Sequence, residues 1–210
     1  QEVYYLNFIA WRIALKIKAP VFVLYPGNRA LQEVKLIKDY RQIEEFVGQL
    51  KLSVEETILD LAHPQLFGRV DGPAIAMEGH VGLFEALWKE ADAVIAEAFN
   101  DFNQAFATEF AFFYEHNTRD AEELIVLLTD GGRGEAIAAQ KAREQGGKLG
   151  VLEIVVPCMA PAQFPSQRLV VALRQMPKLK AITVLEPNHA RFLSQEIKAA
   201  LNGAGLNISI

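Results

Sequence analysis

Glu123-Leu124-Ile125-Val126-Leu127-Leu128, an apolar run closed by the turn Asp130-Gly131-Gly132-Arg133-Gly134, decides how this chain reads. It is a strand followed by a break, and the break opens a helical stretch from Glu135 to Glu144 that stops at Gly146-Gly147. Leu149 to Val156 is the next apolar run. Ser166 to Arg174 is helical, Ala181 to Leu185 is a strand, and Ala190 to Leu201 is a helix. Strand and helix alternate over short links, which predicts a parallel sheet with right-handed crossovers. The strands are continuous apolar runs, as expected where helices cover both faces. The fold class is therefore α/β, a three-layer, mainly parallel sheet with helices on both faces. The strands near 124–128, 149–156 and 181–185 are expected to be neighbours in it.

Upstream the pattern changes. Tyr5, Phe8, Ile9, Ile13 and Ile17 recur near helical spacing over residues 2–18, and Leu6, Ala10, Ala14 and Leu15 widen the stripe. A helix apolar on so much of its surface is expected to be buried by neighbours. Pro20 ends it, and Val21 to Tyr25 then reads as a buried strand closed by Pro26-Gly27-Asn28. This is an N-terminal helix–strand remnant. Asp39 to Leu50 and Ser53 to Ala62 both look helical, the second opened by the capping box of Ser53 and Glu56. The glycines and prolines of residues 63–82 predict mostly loop. A long helix follows, about Leu83 to Ala107, with Phe84, Leu87, Ala91, Ile95, Ala98, Phe102 and Phe106 in one stripe. It would be roughly 38 Å long.

Composition narrows the function classes. The chain has 210 residues, 51% hydrophobic and 22% charged, with 21 Lys and Arg against 26 Asp and Glu for a net charge of −5. That excludes disorder and permits a sizeable core. A pI near 5.5 with no Lys/Arg block argues against nucleic acid as a partner. No run reaches the roughly 18 apolar residues of a membrane helix, so no membrane partner is expected either. The single cysteine, Cys158, excludes a disulfide framework or a multi-cysteine metal site and fits a reducing, cytoplasmic compartment. The chain opens on Gln1 inside a helical pattern, with Glu2 where a signal peptide would be basic. It is expected to be a piece of something longer, with residues 1–25 covered by another part of the parent or by another copy.

Few residues invite chemistry. The Gly131, Gly132, Arg133, Gly134 turn lies between a strand and a helix, where backbone N–H groups and the helix dipole can hold a phosphate. The third glycine of the dinucleotide fingerprint is missing, and Asp130 and Glu135 put negative charge where an anion would lie. Its plain reading is a tight strand-to-helix turn. His63, His80, His116 and His189 are scattered singly and read as surface or internally satisfied histidines. Cys158 reads as a buried thiol, since a nucleophile needs a base partner. No nucleophile elbow, Walker A or paired-carboxylate motif is present. Phe99, Phe102, Phe106, Phe110, Phe112, Phe113 and Tyr114 could stack on a ligand, but the helical spacing of the first three points to core. The residues thus support an α/β module with a long helix and no catalytic apparatus: no catalytic residue and no metal ligand is assigned.

Five segments, in order, carry a resemblance. Glu2 to Lys16, followed by Ala19 to Val34, resembles a helix and strand of the thiamine-diphosphate-dependent 2-oxoacid:ferredoxin oxidoreductases of the pyruvate:ferredoxin oxidoreductase type. Gly27, Arg29 and Glu33 keep the spacing of that family's Gly, Arg and Glu, while Asn28 replaces an aromatic. Phe110 to His116 with Asp120 to Val126 resembles the entry into the family's second domain. Gly146 to Val155 resembles its next strand, Phe164-Pro165 its Pro-Phe-Pro turn, and Ala181 to Glu186 a strand that usually ends in Asp. The family's Gly-Ser turn is Asp130-Gly131-Gly132 here.

The resemblance implies three parts. Residues 1–50 would be the C-terminal part of a thiamine pyrimidine-type domain, 51–117 a helical connection, and 118–210 a transketolase C-terminal-like domain. It implies a component of an oxidoreductase that decarboxylates a 2-oxoacid to an acyl-CoA and passes electrons to ferredoxin, this portion giving scaffolding and subunit contact. Thiamine diphosphate, Mg and iron–sulfur clusters belong to the parent enzyme. No position here matches the family's thiamine-activating glutamate or its substrate-binding Thr and Arg, so this chain alone is expected neither to bind thiamine diphosphate nor to turn over pyruvate. The loop Asn28, Arg29 and the turn at 131–134 are its only cofactor-binding candidates. Partners would be other domains or subunits of the parent, in a homo- or hetero-oligomer. The alternative is a non-catalytic small-ligand-binding or purely structural α/β module.

Overall fold

Apolar residues four apart fix the start of the chain. Tyr5, Ile9 and Ile13 of helix α1 (Glu2–Ile17) are buried on one face. They pack with α2 (Tyr40–Val47), which buries Ile43 and Phe46, and with α3 (Pro73–Phe106), which buries Ala91, Ile95, Ala98, Phe99 and Phe102. The computed structural model describes residues 2–17, 19–25, 40–48, 73–129, 134–157, 164–186 and 191–210, with backbone alone at 40 and 73–89. Two units divide the chain, residues 1–110 and 111–210.

The core of the first unit is aromatic. Phe102 is fully buried, stacked 4.3 Å from Phe106 and set edge-on to Phe46 at 4.9 Å and Phe110 at 5.6 Å, with Tyr5 at 5.1 Å. These are the offset and edge geometries that ring quadrupoles favour. The helical spacing of Phe99, Phe102 and Phe106 thus places core, as expected. Charge reinforces it: the Arg12 guanidinium lies 4.7 Å over the Phe46 ring, donates to the Phe46 carbonyl and pairs with Asp101 at 2.5 Å. Lys16 pairs with Glu97 one turn further along.

Three expectations for this unit need correction. Helix α3 spans 34 residues, about 51 Å, and starts ten residues before Leu83. Pro73 is its first residue, where a missing N–H costs nothing, and a long helix tolerates Gly79 and Gly82 at about 1 kcal/mol each. Residues 21–25 form no strand. An apolar extended segment becomes a strand only beside a sheet edge, and the described residues offer it none; Phe22 and Leu24 are 83% and 86% exposed. Helix α1 is not buried all round either, since Trp11 is 58% exposed. The expected helix at 53–62 with its capping box lies outside the described residues.

The second unit is built as the alternation predicts. Strands β1 (Phe113–His116), β2 (Glu123–Leu128), β3 (Leu149–Ile154) and β4 (Ala181–Leu185) form one sheet in the order β1-β3-β2-β4. β3, β2 and β4 are parallel, with Leu124 opposite Gly150 and Ile182; β1 is antiparallel on the edge, Tyr114 opposite Glu153. Helix α4 (Gly134–Glu144) follows β2, α5 (Ser166–Arg174) follows β3, and α6 (Phe192–Ala204) follows β4. The helix read at 190–201 thus runs slightly later, and the strand read at 149–156 ends at Ile154.

Side-chain alternation sorts the two faces. Leu124, Val126, Leu152, Ile154 and Ile182 pack with Leu169 and Leu173 of α5 and Leu193 and Ile197 of α6. Ile125, Leu127, Leu149 and Val151 point the other way, onto Ala139 of α4. The result is three layers. Gly146 takes φ +90° just past α4, a left-handed stop that glycine adopts without strain. Gly150 sits where a Cβ would come within 3.1 Å of the Asn117 carbonyl oxygen, so the close approach of β3 to the segment before β2 favours glycine.

Candidate functional site

From the carboxyl end of β2 the chain passes to α4 on one face; from that of β3 it passes to α5 on the other. Adjacent parallel strands whose connections diverge in this way mark the place where α/β sheets open a crevice for ligands. The candidate site is therefore the carboxyl edge of β2 and β3.

Glu153 stands there. It lies on the same face of β3 as Val151, toward α4, and among the described residues it is the one buried carboxyl group. Its side chain is 6% exposed against 37% for that of His116. Burying a carboxylate costs several kcal/mol unless hydrogen bonds replace its water. Two do so. His116 Nε2, from β1, lies 3.0 Å from Oε1, and the Thr129 hydroxyl, one residue past β2, lies 3.0 Å from Oε2. A carboxylate only accepts, so the imidazole carries its proton on Nε2. The Thr129 amide also donates to the Ile154 carbonyl at 3.0 Å. Both carboxylate oxygens are thus occupied from within the fold, and the arrangement is that of a holder rather than a free general base.

Glu186, just past β4, accepts from the Leu193 amide at 2.6 Å and satisfies one of the first N–H groups of α6. At the opposite, amino end of the sheet the charges are exposed. Glu122 takes hydrogen bonds from Lys148 at 2.7 Å and from Lys180, which hold its carboxyl down at about 2. The same contact raises Lys148 above its ordinary value. Asp120 is lowered by its hydrogen bond from Arg143 at 2.8 Å, whose guanidinium also donates to the Leu149 and Asn117 carbonyls.

The residues singled out from sequence fare unevenly. Gly134 opens α4 and is exposed. Gly131, Gly132, Arg133, Asn28 and Arg29 lie outside the described residues, as do His63, Cys158 and His189. His80 lies on α3, where only backbone is described. His116 is the internally satisfied histidine that its isolation suggested. Glu153 was missed, although one signal pointed to it: a single carboxylate inside the otherwise apolar run 149–156. Among the described residues no three His, Cys, Asp or Glu side chains converge to hold a metal ion, and no helix is long and apolar enough to cross a membrane.

No family model matches the chain. Curated proteins do. It is 28% identical over 162 residues to the pyruvate synthase subunit PorA of Pyrococcus furiosus, a match covering 74% of this chain and 40% of that subunit. It is 27% identical over 158 residues to PorA of Thermotoga maritima, covering 73% of this chain and 40% of that protein. The chain spans about 40% of the length of these curated relatives. Its similarity, over nearly three-quarters of its residues, is thus to pyruvate synthase subunits.

Proposed function

We propose that this chain is a component of a 2-oxoacid:ferredoxin oxidoreductase, an assembly that oxidatively decarboxylates a 2-oxoacid such as pyruvate to an acyl-CoA and passes the electrons to ferredoxin. The similarity to PorA subunits over 74% of the chain carries the reading. Within it, residues 118–210 supply a transketolase C-terminal-like domain and residues 1–50 part of a pyrimidine-type domain, and the role of the chain is scaffolding and subunit contact. Exposed Trp11, Phe22, Leu24 and Tyr25 support that role, because apolar side chains left in water are those a partner covers.

The described residues do not fit thiamine diphosphate with its Mg ion or an iron–sulfur cluster. No metal-binding group converges, and the buried Glu153 carboxylate already has a partner on each oxygen. The reading therefore places those groups in other parts of the assembly and assigns no catalytic step to the described residues.

Purification of the tagged chain from its native cells tests it. Material that co-purifies should reduce a viologen dye only when a 2-oxoacid and CoA are both supplied. A stable complex without that activity and without thiamine diphosphate would overturn the assignment and leave a structural or small-ligand-binding α/β module.

A further inference from the structure

Glu153 does more than satisfy itself. One carboxylate reaches diagonally across the sheet in both directions, back to His116 on the edge strand β1 and forward to Thr129, the residue that leads out of β2. Glu153 faces Tyr114 on one side and Leu127 on the other in register, so each partner is two residues away from its direct neighbour. Diagonal pairs at this spacing lie within reach of long side chains. The two arms share one buried group. Loss of either leaves a desolvated carboxylate oxygen that the other arm alone cannot satisfy.

We propose that Glu153 is a clasp coupling the edge strand β1 to the carboxyl end of β2, so that loosening or occupation at one is felt at the other. The link is reciprocal, as any coupling between two places in one equilibrium must be. It joins an edge, where another chain can pair with a strand, to the place where the connections diverge and α/β sheets receive ligands. Backbone contacts bound the device. The Val155 amide donates to the Phe112 carbonyl at 2.9 Å and the Thr129 amide to that of Ile154. These backbone bonds must open before the amides exchange, and the side-chain clasp adds to the free energy of that opening. The inference is independent of the assignment above.

Amide hydrogen exchange on the full chain tests it. H116F removes one donor and T129V the other, and neither touches an atom of the distant arm. H116F should speed exchange at Thr129, Gly134 and Glu135 as well as within Phe113–His116, by roughly three- to tenfold, the worth of one hydrogen bond. T129V should do the same to Phe113–His116. The double variant should exceed either single one by less than their product, because both remove one shared unit. H116Q, which keeps a donor, should restore slow exchange at Thr129. E115A, on the opposite face of β1 and bonded to Thr118, should leave Thr129 and Gly134 unchanged. Effects confined to the strand that carries each substitution, or multiplying in the double variant, would overturn the proposal. Should H116F not fold, T129V decides by itself: unchanged exchange at Phe113–His116 refutes the clasp.

Discussion

The two units of the chain solve burial differently. In residues 111–210 a sheet is covered on both faces, and its core is aliphatic: Leu124, Val126, Leu152, Ile154, Leu169, Leu193 and Ile197. It too leaves apolar residues exposed, among them Ile137, Val171 and Leu185, as any protein surface does. In residues 1–110 the described core is aromatic and organised around Phe102, with Arg12 and Lys16 tying α1 to α3 through Asp101 and Glu97. That unit leaves Phe22, Leu24, Tyr25 and Trp11 in water. A sheet between two helical layers closes on itself. Among the described residues of the first unit, three helices and an extended apolar segment leave part of their apolar surface exposed.

The comparison breaks most visibly if the aromatic centre proves dispensable. Phe102→Ala should cost about 3–5 kcal/mol, and Leu152→Ala in the other unit about 2–5 kcal/mol, measured by denaturant unfolding. Exchange mass spectrometry should localise the first to α1, α2 and α3 and the second to the sheet. A Phe102→Ala cost under about 1 kcal/mol would mean that the rings are not a core.

Gly150→Ala comes next. Its new Cβ would meet Ala121 Cβ at 3.0 Å, the Asn117 carbonyl oxygen at 3.1 Å and Leu124 Cδ1 at 3.2 Å. A backbone oxygen yields little, so a loss of about 1–3 kcal/mol is expected. Equal stability of the variant would show that the closely fitted sheet unit has more slack than the helical one.

Substitution of Trp11, Phe22 and Leu24 by Ser sharpens the contrast from the other side. Stability of the isolated chain should move by no more than about 0.5 kcal/mol each, while self-association or retention of co-purifying subunits falls. Sedimentation velocity with and without the substitutions reads this directly. A large stability loss with association unchanged would instead assign these side chains to the unit's own core.

The smallest effect is a pH dependence at the amino end of the sheet. The folded-state value of Glu122 is depressed to about 2 from an ordinary 4.5. Its contribution to stability is therefore complete above pH 4.5 and lost as pH falls through 2. Glu122→Gln should flatten that part of the acid-unfolding curve and leave neutral-pH behaviour little changed, since the contacts are exposed and screened. An unaltered curve would show that Lys148 and Lys180 do not hold this carboxylate in solution.

Periodicity made the second unit readable in advance. Runs such as Glu123–Leu128 and Leu149–Ile154 read as covered strands, and Gly146 stops α4 by backbone chemistry that any reader of the sequence can apply. The same reasoning failed at Val21–Tyr25, because an apolar extended run states a need for a sheet without supplying one. It placed the start of α3 too late, because Gly and Pro density marks loops only on average, and Pro73 at a first helical position favours the helix. The four residues of β1 escaped notice because an edge strand pairs on one side and carries a mixed pattern, Phe113-Tyr114-Glu115-His116.

The candidate site divides along the same line. Its place, the carboxyl edge of the first strands, follows from alternation of strand and helix, which local pattern encodes. Its content does not. Glu153, His116 and Thr129 are 37 and 24 residues apart in the chain, and nothing local pairs them. Sequence alone determined the α/β class, the parallel core of the sheet and the apolar stripe of the long helix, because these depend on the period of side chains along one segment. Only tertiary structure decided that β1 closes the edge antiparallel, that residues 21–25 lie uncovered, and that a buried carboxylate is held by two strands at once. Those depend on which distant backbones lie side by side, and a buried charge is tolerated only where such neighbours bring its hydrogen bonds.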